Sequence, residues 1–169
     1  MQSSLLEWSI MYYLIDISGS SEVALSEFIT DIGAPAAKGE FQFLDHNDLL
    51  WRLRNDKPFS FKDFYYANNQ VPIFSQPIWE DALSIIDTDG VFQIPLTIEY
   101  HGEQHRYTIA IPSRIRCLDQ DGRILSNLVG RYDIFRSENL EDHGIYVSER
   151  LRNKWSHFTS IKYKKELRR

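Results

Sequence analysis

Residues 91 to 111 alternate between apolar and polar. Phe92, Ile94, Leu96, Ile98 and Tyr100 fall on one face of an extended chain. After His101–Gly102–Glu103–Gln104, the residues Tyr107, Ile109 and Ile111 resume the pattern. A period of two sends successive side chains to opposite faces, which a strand can bury on one side and a helix cannot. Two such runs joined by a short polar stretch with a glycine read as a β-hairpin. Pro95 lacks an N–H, so it belongs where its strand is unpaired on one side or bulged. A lone hairpin is marginal in water, so the rest of the chain must cover it.

The flanking segments supply candidates. Ile10–Ile17 reads as a buried strand ended by Ser18–Gly19–Ser20–Ser21, and Glu22–Ile32 as a short helix closed by Gly33. Ala34–Pro35–Ala36–Ala37–Lys38–Gly39 is a connection. Asp45–His46–Asn47–Asp48 offers a cap for a short helix holding Leu49, Leu50 and Trp51. Phe59–Ala67 is aromatic and suits a half-buried position. Ser75 is placed to cap a helix, with Pro77 in its first turn and Glu80 and Asp81 toward its positive end. Ile115–Asp119, Tyr132–Phe135, Gly144–Val147 and Thr159–Tyr163 read as strands. Ser148 caps a helix whose apolar face carries Leu151, Trp155 and Phe158. The expected class is α+β: a largely antiparallel mixed sheet with a few flanking helices.

The 169 residues, 43% of them hydrophobic, suffice for a single domain over 1–169 with its own core. The apolar run before Asp16 has no Lys or Arg ahead of it and no small-residue cleavage site after it, so it does not read as a leader. It is also too short to span a bilayer. Cys117 is the one cysteine, which excludes an internal disulfide and makes cytoplasmic residence the expectation.

Charge is divided unevenly. Residues 1–147 hold 22 acidic and 11 basic residues, a net of −11. Residues 148–169 hold 2 acidic and 8 basic residues, a net of +6. Such a body disfavours nucleic acid, which needs clustered positive charge, and favours a basic protein partner. The basic residues Lys162, Lys164, Lys165, Arg168 and Arg169 read as a solvated terminus rather than a nucleic-acid or lipid contact.

No phosphate loop, nucleophile elbow or zincin motif is present. His101 and His105 flank the hairpin turn with Glu103 between them, but no cysteine or second carboxylate stands at ligand spacing, so neither a metal nor another cofactor is expected. Cys117 lies between Ile115 and Leu118, which favours a buried thiol over a nucleophile. The pairs Asp87 with Asp89 and Asp119 with Asp121 are each followed by Gly90 or Gly122 and then an apolar run. That is turn chemistry, with Asp bonding the backbone and Gly at positive φ. Glu138, Glu141 and Asp142 form a third acidic group.

Several segments resemble the Imm11 family of bacterial immunity proteins. They are Pro72–Ile73–Phe74–Ser75–Gln76, the hairpin strand with Tyr107–Thr108–Ile109, and Ile115–Arg116–Cys117–Leu118–Asp119. Asp133–Ile134–Phe135–Arg136, Ile145–Tyr146–Val147–Ser148–Glu149–Arg150–Leu151 and Phe158–Thr159–Ser160–Ile161–Lys162–Tyr163 complete the set. They span roughly residues 70–165, while residues 1–70 form a variable part. The chain departs from the family pattern at Gln120–Asp121–Gly122–Arg123. The resemblance implies no catalytic residues and a cognate toxin as partner.

The resulting expectation is a non-enzymatic binder that occludes a basic, cytoplasm-acting toxin domain such as a nuclease. The surface expected to do so comprises Asp87, Asp89, Asp119, Asp121, Glu138, Glu141 and Asp142, with Trp79 as an aromatic anchor. The alternative is a small metal- or histidine-dependent hydrolase or nucleotide-handling enzyme using His101, His105 and Glu103.

Overall fold

A computed structural model describes residues 11–16, 49–53, 58–67, 71–125 and 131–167. The expected helix over 22–32, the connection over 34–39, the cap at 45–48, and Arg168 and Arg169 lie outside the described residues. In chain order the elements are β1 Tyr12–Ile15, β2 Leu49–Arg52, β3 Phe64–Ala67, β4 Val71–Ser75, α1 Gln76–Leu83, β5 Val91–Tyr100 and β6 Glu103–Pro112. They continue with β7 Arg114–Ile115, β8 Ile134–Ser137, β9 Ile145–Ser148, α2 Glu149–Lys154 and β10 Tyr163–Leu167.

The class is α+β, with the strands divided into two five-stranded sheets among the described residues. One runs β10-β1-β9-β8-β7 and the other β2-β5-β6-β4-β3. Each contains one parallel pair, β7 with β8 and β2 with β5, and the rest is antiparallel. The hairpin is present in full, with Val91 paired to Pro112 at one end and Tyr100 to Glu103 at the other. His101 and Gly102 turn it with φ of 51° and 81°. Pro95 sits as its chemistry requires. Leu53 N–H donates to Glu99 C=O, so odd-numbered residues of β5 face β2. Among the described residues the β2 pairing begins at Leu96, so there the donor that Pro95 lacks has no ladder partner to supply.

Alternation sorts the side chains into three apolar clusters. The central one draws on both sheets: Tyr13, Ile15, Ile145 and Val147 from one, Phe64, Tyr66 and Phe74 from the other. Ile78, Trp79 and Ala82 of α1 join it, with Leu151 and Trp155. The opposite face of the second sheet buries Trp51, Tyr65, Ile73, Ile94, Leu96, Ile98, Tyr107 and Ile109. The opposite face of the first buries Tyr12, Cys117, Phe135 and Tyr146. Trp155 Nε1 donates to Ile78 C=O at 3.0 Å, tying the segment after α2 to α1.

The sheets share a seam. β6 passes through Ser113 directly into β7, moving the chain from one sheet to the other. Ser113 N–H donates to Gly90 C=O at 2.8 Å, and its carbonyl accepts Arg136 N–H at 2.9 Å. Arg136 is fully buried and its Nε donates to Pro112 C=O at 2.9 Å. Burial, reinforced by the nearby Arg114 guanidinium, pulls its pKa down to about 10. Arg114 Nη1 donates to the carbonyls of Ser137, Asn139 and Asp142, fixing the loop between β8 and β9.

Several expectations change. Leu49–Arg52 is a strand, not a helix, because pairing with β5 sets Trp51 opposite Ile98 and buries it. Tertiary pairing overrides local preference in a segment this short. The last strand is Tyr163–Leu167 rather than Thr159–Tyr163, since turns first lead Ile161 into the core. Ile115–Asp119 reduces to a two-residue strand followed by an isolated Leu118–Ile124 bridge. The strand expected at Tyr132–Phe135 begins two residues later, at Ile134.

Candidate functional site

Each acidic group of the expected surface is positioned by turn chemistry. Asp87 precedes a single 3-10 turn over Thr88–Gly90, and its carboxylate accepts Asp89 N–H at 3.1 Å. Asp119 accepts both Asp121 N–H and Arg123 N–H at 2.9 Å, and Gly122 takes φ of 76°. Gly90 does not adopt positive φ, because the 3-10 turn closes without it. Asp87, Asp89, Asp119 and Asp121 are exposed, as are Glu138 and Glu141.

The groups fall at two ends of the β7–β8 pair. Glu138 follows β8, its N–H donates to Ile115 C=O, and its carboxylate lies 4.0 Å from Arg116 Nε. The Asp119–Gly122 turn leads off from β7 at that same end. Asp87 and Asp89 lie at the other end, beside Ser113. There they line a cleft of about 350 Å³ with Ile86, Ile115, Arg131, Tyr132 and Asp133. The acidic groups thus form two rims, one toward each end of the two-residue β7–β8 pair.

One expected contact residue is interior, and a second is half-buried and bonded within the fold. Trp79 is 3% exposed and packs in the central core against Phe74, with ring centroids 5.4 Å apart. Its indole N–H donates to Gln93 Oε1 at 2.7 Å. It faces inward with Ile78 and Ala82, so it is not an anchor. Asp142 accepts Tyr146 O–H and Gly144 N–H, both at 2.8 Å, so its carboxylate is committed within the fold. Glu80 and Asp81 likewise miss the first turn of α1, which begins at Gln76. The Ser75 hydroxyl donates to Asp63 instead of capping that helix.

The structure also singles out Asp133, which the sequence offered only as the first residue of the Asp133–Arg136 stretch. It accepts from the Ser148 hydroxyl at 2.6 Å and from Arg150 Nη2 at 2.5 Å. Arg150 belongs to a wider pattern. Lys154 lies 4.0 Å from Asp81, Lys164 lies 3.0 Å from Asp16, and Arg152 stands 4.2 Å over the Tyr13 ring. Of the basic residues expected to be solvated, Lys164 thus meets a carboxylate, Lys162 is exposed, and the side chains of Lys165, Arg168 and Arg169 lie outside the described residues. The carboxylates left without an ion-pair partner among the described residues include Asp87, Asp89, Asp121 and Glu141.

The histidines of the alternative reading sit apart from both rims. His105 Nε2 lies 2.5 Å from Glu103 Oε1, and its ring stacks on Phe61 with centroids 3.7 Å apart. His101 packs edge-on against Tyr100 at 4.3 Å. Among the described residues no three His, Cys, Asp or Glu side chains group as metal ligands. Cys117 is buried, and burial pushes its thiol pKa up, away from the thiolate a nucleophile requires. No described helix is long and apolar enough to cross a membrane.

No protein-family model matches this chain. No curated protein matches it either.

Proposed function

We propose that this protein is a non-catalytic binder that neutralises a basic toxin domain, in the manner of an immunity protein. The observation that carries the reading is the fate of the charges. Arg150, Lys154 and Lys164 of the terminal segment meet Asp133, Asp81 and Asp16, while Asp87 and Asp89 stay exposed at the rim of the seam cleft with no ion-pair partner among the described residues. Exposed, unpaired carboxylates on turns fixed by their own backbone bonds present negative charge without large ordering costs. The seam adds Tyr132 and Ile115, a partly apolar floor for a long cationic side chain. The resemblance over roughly residues 70–165 supports the toxin as the class of basic partner, and the cytoplasm is the proposed site of action.

The test is co-expression with the toxin domain of an adjacent gene, followed by binding at graded salt. Rescue of growth and salt-sensitive association are expected. Replacing both Asp87 and Asp89 by Lys is expected to slow association and weaken binding by about tenfold or more. Unchanged binding in that variant removes this rim from the interface. Absence of rescue, with both proteins folded, removes the function.

A further inference from the structure

β6 outruns its neighbour β4. β4 pairs with β6 from Ile73–Ile109 to Ser75–Tyr107, and the chain then leaves as α1. Gln104 and Arg106 therefore have β5 on one side and, among the described residues, no strand on the other. The register shows which way their peptide groups point. Ser75 N–H donates to Asp63 C=O, so Ser75 faces β3 and Phe74 faces β6. Phe74 is opposite Thr108, so even-numbered residues of β6 direct their N–H and C=O toward the β4 side. The main-chain groups of Gln104 and Arg106 thus point out of the sheet, and an open edge is a template for another strand.

This edge opens on a groove of about 470 Å³, bounded by Phe61–Asp63 and the first turn of α1. The groove's aromatic wall is held in place. Phe61 stacks on His105, and Tyr107 O–H donates to Lys62 C=O at 2.8 Å. Lys62 and Arg106 line the groove as exposed cations, and among the described residues neither has an ion-pair partner. Elsewhere Arg52, Arg150, Lys154 and Lys164 meet carboxylates. Asp63 also lines the groove, but its carboxylate accepts from the Ser75 hydroxyl at 2.9 Å and the Ser160 hydroxyl at 3.3 Å. Two exposed cations against one hydrogen-bonded carboxylate leave the groove with a net positive charge.

We propose that this groove docks an extended, acidic segment of a partner protein, which adds to β6 as a further strand at Gln104 and Arg106. Main-chain pairing fixes its position, and its carboxylates meet Lys62 and Arg106. The site shares no residue with the Asp87–Asp89 rim, so it stands or falls independently of the toxin reading.

The test uses the full chain, labelled with 15N, and a capped peptide of alternating Glu and Val, with a Lys–Val peptide as control. Saturable shifts of the Gln104 and Arg106 amide signals are expected with the Glu–Val peptide only. Arg106→Glu and Lys62→Glu are each expected to weaken that binding about tenfold. Both positions are exposed, and an otherwise unchanged spectrum shows that the variants are folded. Equal binding of both peptides, or undiminished binding to the variants, overturns the proposal. So does inorganic phosphate that displaces the peptide and reproduces its shifts, which would assign the groove to a small anion.

Discussion

At Gly144 the backbone runs so close to β1 that a side chain has no room. A Cβ there would lie 2.5 Å from Leu14 Cδ1 and 2.9 Å from Asp142 Oδ1. Leu14 can turn away, but Asp142 is held by Tyr146 and by Gly144 itself. Gly144→Ala is therefore expected to destabilise by about 1–3 kcal/mol, read as a lower urea midpoint with an unchanged slope. Trp79 makes the companion case. Its neighbours Ile78 and Ala82 gave a signal that it was interior, since those positions share a helical face with it. Trp79→Ala is expected to cost about 3–5 kcal/mol of stability, measured in the same way. Partner affinity measured on the folded fraction is expected to hold. The acidic turns were legible because Asp and Gly act on their own backbone, within two to four residues. The pairing of Asp133 with Arg150 was not, because it joins residues 17 apart that only the sheet brings together.

Length decided which elements could be read from sequence. The hairpin carries its pattern through two strands of ten residues, and the structure keeps every pairing. β2, at four residues, is too short to show a period, and its partner lies over forty residues downstream. The start of α2 was legible because one residue performs the cap. Ser148 accepts Leu151 N–H at 3.2 Å. The same hydroxyl donates to Asp133, so it serves the helix and the cleft together. Ser148→Ala is expected to cost about 1–2 kcal/mol in thermal or urea unfolding, and to loosen Asp133 at the cleft.

For the whole molecule, burial of tyrosines sets the alkaline limit of stability. Burial is the leading cause that raises Tyr65, Tyr66 and Tyr163 to about 12. Tyr107 and Tyr146 are pushed up as well, again chiefly by burial. In the unfolded chain these phenols ionise near 10, so above that pH the folded state holds more protons than the unfolded one. Stability is then expected to fall as pH rises from about 10 toward 12. Arg136 acts in the opposite sense, because its folded pKa is lowered and the folded state loses that proton first. Five phenols outweigh one guanidinium, and urea midpoints taken from pH 8 to 11 are expected to decline over the upper part of that range.

The chain order of the sheets bears on how the protein is made. Among the described residues every strand of the second sheet lies between Leu49 and Pro112, so those strands are all made before β7 is synthesised. β1 belongs to the other sheet, between β9 and β10, and Ile15 precedes Ile145 by 130 residues. At about 5–20 residues per second the ribosome takes on the order of ten seconds to supply its first neighbour. Through that interval Tyr12–Ile15 is an apolar ribbon with neither edge filled, while the hairpin below is ready to set. A chaperone that shields Tyr12–Ile15 through that interval is therefore expected to raise the yield of folded protein during synthesis.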